Sequence, residues 1–154
     1  MLIFFTILFI AIYTISLIKG SPFKDELIQI GEAEIRIAQG ENKEDVYLEK
    51  NIILSSIKIF IISITIIISQ LIYFIVALKY DVLLYPTILI MSYVVTEIVY
   101  QIIFKRNSDL KLNSEKEIQK FKNKLYGKTP LKSTLINIVF LSYFIYMFYI
   151  LVIN

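Results

Sequence analysis

Apolar residues in this chain gather into four long blocks, at residues 1–18, 52–78, 82–104 and 133–153, with most charged residues between them. Each block is near or above the roughly 18–20 apolar residues a helix needs to cross about 30 Å of hydrocarbon. The pattern predicts an all-α integral membrane protein. It is a single membrane domain of four transmembrane helices, joined by two long loops at 19–51 and 105–132.

The second and third blocks are separated only by Lys79, Tyr80 and Asp81, which predicts an antiparallel helical hairpin with a tight tip. Pro86 lies early in the third block and marks either the start of regular helix or a slight kink. The second block, at 27 residues, would be about 40 Å long as a helix, so it must tilt or protrude. Asn42 is a candidate N-cap just upstream, with Glu44 and Asp45 in the first turn, and suggests one helix running from the loop into the membrane.

In the second loop, Ser114 and Glu117 have the spacing of a capping box, Gly127 suits the far end and Pro130 lies beyond it. A helix over about 115–126 follows. It carries Ile118, Phe121 and Leu125 on one face and Lys116, Lys120 and Lys124 on the other, as in a helix resting on an anionic membrane surface. In the first loop, "LIQIGEAEIRIA" alternates. The stretch 27–38 reads either as a hairpin turning at Gly31 and Glu32, or as part of a short amphipathic helix that starts at Ser21 and Pro22.

Polar residues within the apolar blocks form stripes. In the second block Ser55, Ser56, Lys58, Ser63, Thr65, Ser69, Gln70 and Tyr73 fall within about half the circle at 100° per residue. In the third, Ser92, Thr96 and Tyr100 form one i, i+4 row, and Tyr93, Glu97 and Gln101 the row beside it. Both stripes are expected to face inward. Lys58 and Glu97 then lie about 9 and 10 Å from the same end of their helices, at a depth where an interhelical ion pair or an ion site would offset the cost of a charge in lipid.

Composition agrees with membrane residence: hydrophobic residues are 57% of the chain and the mean hydropathy is +0.71. Charge adds the threading. Loop 19–51 has five basic residues and loop 105–132 has nine, whereas the short turn offers only Lys79. Basic residues are retained in the cytoplasm, so both loops are expected inside a cell membrane and both termini outside. A cleaved leader over 1–18 fits poorly, because no basic residue precedes the apolar run and "ISLIKGS" lacks a small-x-small site. The loops differ in sign, net −3 for the first and +6 for the second, so they are able to dock on one another.

The chain has no Cys and no His, which removes thiolate and imidazole chemistry and the usual zinc or haem ligands. No catalytic residues, metal site or cofactor are expected. The function expected is that of a non-enzymatic partner or regulatory subunit in a membrane assembly, acting through the cytoplasmic loops. The alternative is a small oligomeric channel or ion-coupled transporter using the Lys58 and Glu97 stripe. The expected partners are the bilayer, including anionic lipids, and another membrane protein or a second copy. Nucleic acid is not among them, because topology alone explains the basic loops.

Overall fold

The computed structural model describes residues 1–104, 114–127 and 130–153, and every regular element among them is a helix. In chain order these are α1 (Leu2–Lys19), α2 (Lys24–Ala38), α3 (Lys43–Tyr47), α4 (Lys50–Ala77), α5 (Tyr85–Phe104), α6 (Glu115–Tyr126) and α7 (Leu131–Ile153). Lys105, Arg106, Lys111 and Lys128, which entered the charge count, and the side chain of Gln101 lie outside the described residues. Three helical stretches are long and apolar enough to cross a membrane: α1, α4 and the one that ends at Ile153. In α5 the described apolar stretch, Tyr85–Tyr100, is shorter.

The chain divides into two compact units. The first comprises Met1–Pro22, Ile66–Asp109 and Thr129–Asn154, and α4 contributes to both. Its core is aromatic, with Phe9, Tyr73, Phe74, Phe140, Tyr143, Phe144 and Met147 all buried. The rings set the helix directions. Phe9 stacks on Phe144 at 4.9 Å and Tyr13 on Phe140 at 5.0 Å, so position rises along α1 as it falls along α7, and the two run antiparallel. Thr6 bonds Tyr73 and Tyr13 accepts from Gln70, which makes α1 antiparallel to α4 as well. Thr87 meets Tyr143 while Tyr93 meets the ring of Phe140, and α5 thereby opposes α7. Between lipid-facing helices such close packing supplies the attraction that water supplies elsewhere, and aromatic pairs add about 0.5–1.5 kcal/mol each by the soluble-protein measure.

The second unit comprises Phe23–Thr65 and Leu110–Lys128. Here 27–38 is wholly helical within α2, which excludes the hairpin. The alternation has a different cause. Residues two apart on a helix lie about 200° apart, so a helix covered on two opposite sides also shows apolar residues at every second position. One side of α2 puts Ala33 and Ile37 against Val46, Tyr47 and Ile52. The other side carries buried Gly31 and Ile35, and α6 lies over it: a Cβ on Gly31 would stand 2.6 Å from Leu125 Cδ1.

Asn42 does cap a helix, its Oδ1 accepting from Glu44 N at 3.1 Å, but that helix is the short α3. α4 begins afresh at Lys50, so the single helix expected from Asn42 into the membrane is two. The capping box of Ser114 and Glu117 is formed in both directions. Gly127 follows α6 in an extended conformation, where a side chain would meet the Asn123 carbonyl at 2.6 Å.

Because Leu125 occupies the place of a Gly31 side chain, Gly31→Leu should lever α6 away from α2. Tryptic cleavage after Lys120, Lys122 and Lys124 should then accelerate several-fold in the purified protein, while Asp25→Asn at the exposed start of the helix should leave it unchanged. Equal cleavage of the Gly31 variant and wild type would show that α6 is not held there.

Candidate functional site

The most complete polar constellation in the structure is one that sequence patterning passes over. Asp81, in the tip between α4 and α5, is 3% exposed. Its Oδ1 accepts from Leu83 N at 3.1 Å and from the Tyr146 hydroxyl at 2.6 Å. Its Oδ2 accepts from Thr87 N at 3.1 Å and from the Thr87 hydroxyl at 2.6 Å, and Thr87 in turn lies 2.9 Å from the Tyr143 hydroxyl. Burial pushes the carboxyl upward, but the bonds from Thr87 and Tyr146 and from the two backbone N–H groups outweigh it and hold Asp81 below the ordinary aspartate range.

Local sequence explains the arrangement. Three residues, Val82 to Leu84, lift the chain from Asp81 to the first turn of α5, where Pro86 needs no donor. The exposed N–H groups of that turn and the positive end of the helix favour a carboxylate. Leu84 takes a left-handed backbone, φ 60°, a strained conformation for a branched residue. The signal was an aspartate five residues before Pro-Thr, together with Tyr143 and Tyr146 one turn apart in the apolar second half of α7. Regular helix starts at Tyr85 and not at Val82, the first of the two readings of Pro86.

Lys58 is placed in the second unit, and its ion pair is with Glu26 of α2. The expected partner was Glu97, which lies on α5 in the first unit beside Tyr93. The reason is the antiparallel register of α2 and α4. Ser55 donates to Gln29 Oε1 at 2.5 Å, and three residues further along α4 Lys58 meets Glu26, three residues earlier on α2. The hydrogen bond from Lys58 holds the Glu26 carboxyl below its ordinary range. The first turns of α4 are thus covered by a loop helix that carries the countercharge.

A similar hub fixes the other end of α2. Arg36 bonds Glu41 at 2.7 Å and Glu49 at 2.6 Å, which raises its own pKa and lowers that of Glu49. Tyr47 donates to Glu34, and that bond to a carboxylate pushes the phenol up to about 12.

The stripes divide. On α4, Ser55, Gln70 and Tyr73 are buried as expected, while Ser56, Lys58 and Thr65 are exposed and Ser63 and Ser69 half-buried. On α5 the expectation is reversed. The inward face is Thr87, Ile90, Met91, Val94 and Ile98, and Ser92, Tyr93, Thr96, Glu97 and Tyr100 are all exposed. The Thr96 hydroxyl bonds back to the Ser92 carbonyl at 2.8 Å. On α6, Lys116, Lys120 and Lys124 are exposed, while Ile118, Phe121 and Leu125 are half-buried beside α2.

No protein family, no curated protein and no solved structure matches this chain.

Asp81→Asn should lower stability by about 1–3 kcal/mol, because an amide donor would face groups that themselves donate. Tyr146→Phe should cost less, since three donors remain. Unfolding midpoints in detergent titrations measure both; an Asn variant as stable as wild type would show that the carboxylate does not hold the turn.

Glu49 is held below its usual range, so its contribution is fully present above about pH 4.3 and lost as pH falls through the lowered folded value. Thermal unfolding followed from pH 7 downward should show Arg36→Gln less stable than wild type at neutrality. The gap should close in acid, and a gap constant with pH would remove Arg36 as the cause.

Proposed function

We propose that the chain is a four-span protein of the cell membrane, with both termini outside and both long loops in the cytoplasm, that works as a non-enzymatic subunit of a larger membrane assembly. One observation carries the reading: on α5 the polar positions Ser92, Thr96, Glu97 and Tyr100 are exposed outside the core of its unit, while the Tyr93 ring meets Phe140 at the core's edge. Within that unit the buried polar groups of Thr6, Gln70, Asp81 and Thr87 bond one another or nearby tyrosines. A row of hydroxyls with a carboxylate is costly against hydrocarbon and favourable against another helix. By its exposure this row makes α5 the face offered to a partner helix.

Four crossings are supported by the antiparallel order of α1, α4, α5 and α7. At 20 residues α5 is about 30 Å long, enough for one crossing. The ion pair of Lys58 with Glu26 supports a crossing that begins beyond Lys58, which removes the excess length of α4. The same α5 face in a ring of identical copies would line an ion path, the second reading.

Cysteines introduced at Asn42 and Asn123 should resist a membrane-impermeant thiol reagent in intact cells, and one at Tyr80 should react; labelling of either loop without permeabilisation would overturn the threading. Gentle extraction of the tagged protein from native membranes should bring an unrelated membrane protein with it. Thr96→Leu combined with Glu97→Leu should release that protein while the chain still folds. A homo-oligomer alone, with cation flux in vesicles, would replace the subunit reading by the channel.

A further inference from the structure

We infer that the Lys116, Lys120 and Lys124 face of α6 docks on anionic lipid headgroups as a rigid basic edge, while the apolar stripe of the same helix stays seated on α2 and does not enter the bilayer.

The three lysines recur every fourth residue, so they stand about 6 Å apart along one side of the helix. All are exposed, and among the described residues none is in an ion pair. The nearest acid on that side, Glu117, is drawn into the capping box with the Ser114 backbone. Lys122 lies elsewhere, lining a groove with Ala38 and Gln39.

An amphipathic helix with free faces would bury its apolar side in the headgroup boundary. Here that side is engaged. Leu125 fills the space over Gly31, and the Tyr126 hydroxyl donates to Glu32, which raises the phenol's pKa. What remains for the membrane is charge alone.

The occupant is identified by charge and by tether. Three cations in a row match a plane of singly charged headgroups, each lysine near such a surface favouring the docked state about fivefold. Five peptide steps, from Tyr126 to Leu131, separate α6 from α7, a reach of at most about 18 Å. The inference rests on the membrane reading above and names lipid as the partner of this loop.

The test uses the full chain in nanodiscs of neutral phosphatidylcholine, or of the same lipid mixed with phosphatidylglycerol. A fluorophore on Asn123→Cys, beside the lysines, is quenched by acrylamide. Quenching should fall in the anionic discs at low salt and return at high salt. It should stay high in neutral discs and in the triple Lys→Gln variant, with Lys120→Gln alone intermediate.

The fall should also survive when α6 is locked to α2 by a disulfide between Gly31→Cys and Leu125→Cys, closed before the label is attached at Asn123→Cys. Equal quenching in the two lipids would overturn the proposal, as would shielding that salt does not reverse or shielding lost on locking. The last two results would mean that the apolar stripe inserts. Failure of the chain to resist alkaline extraction from the discs would overturn the membrane reading, and the docking with it.

Discussion

Four donors converge on the Asp81 carboxylate, and the register of α5 against α7 depends on that group. It supports the start of α5 by accepting from the Leu83 and Thr87 N–H groups, ties that start to α7 through Tyr146 and, by way of Thr87, to Tyr143. An unpaired carboxylate at this depth would cost several kcal/mol. Bonded four ways it becomes a point at which three helices must meet in one register. The aromatic stack of Phe9, Phe144, Tyr13 and Phe140 then seats α1, which the carboxylate does not reach, on α7. The left-handed Leu84 is the visible strain of that closure.

The helices themselves were legible because length and continuous hydropathy are local properties. Their ends followed local chemistry too, in the Ser114 capping box and in the helix start near Pro86. Direction was not legible. A polar stripe fixes an angle around a helix, and in water the sign is known because the polar side faces solvent. In lipid the same stripe can face the bundle or a partner, and composition does not choose. For α4 the inward choice held at Gln70 and Tyr73, and for α5 it failed at Ser92, Thr96 and Glu97, because Val94 and Thr87 claimed the core.

Equal depth alone does not fix a pairing. Lys58 and Glu97 share a distance from the helix ends, yet a lysine on the first turns of a long helix is equally within reach of whatever covers those turns. α2 does so, and its register supplies Glu26 and Gln29 to Lys58 and Ser55 in succession. That outcome could not be read from 27–38, since a helix enclosed on two sides has the period of a strand. The helix is settled by contacts far away in sequence, among them the close approach at Gly31, too tight for a side chain beside Leu125.

The enclosed α2 also changes what its neighbours can do. A free α6 would respond to apolar and anionic surfaces together, and its binding would follow insertion as much as charge. Held by Leu125 and Tyr126, it presents only the lysine edge, and in the docking proposed above lipid charge and ionic strength would govern it. A surface association of that kind is reversible and weak per residue. The same logic separates the two faces as proposed above: on α5 a helix with matching donors and acceptors, and on α6 a field of negative charge.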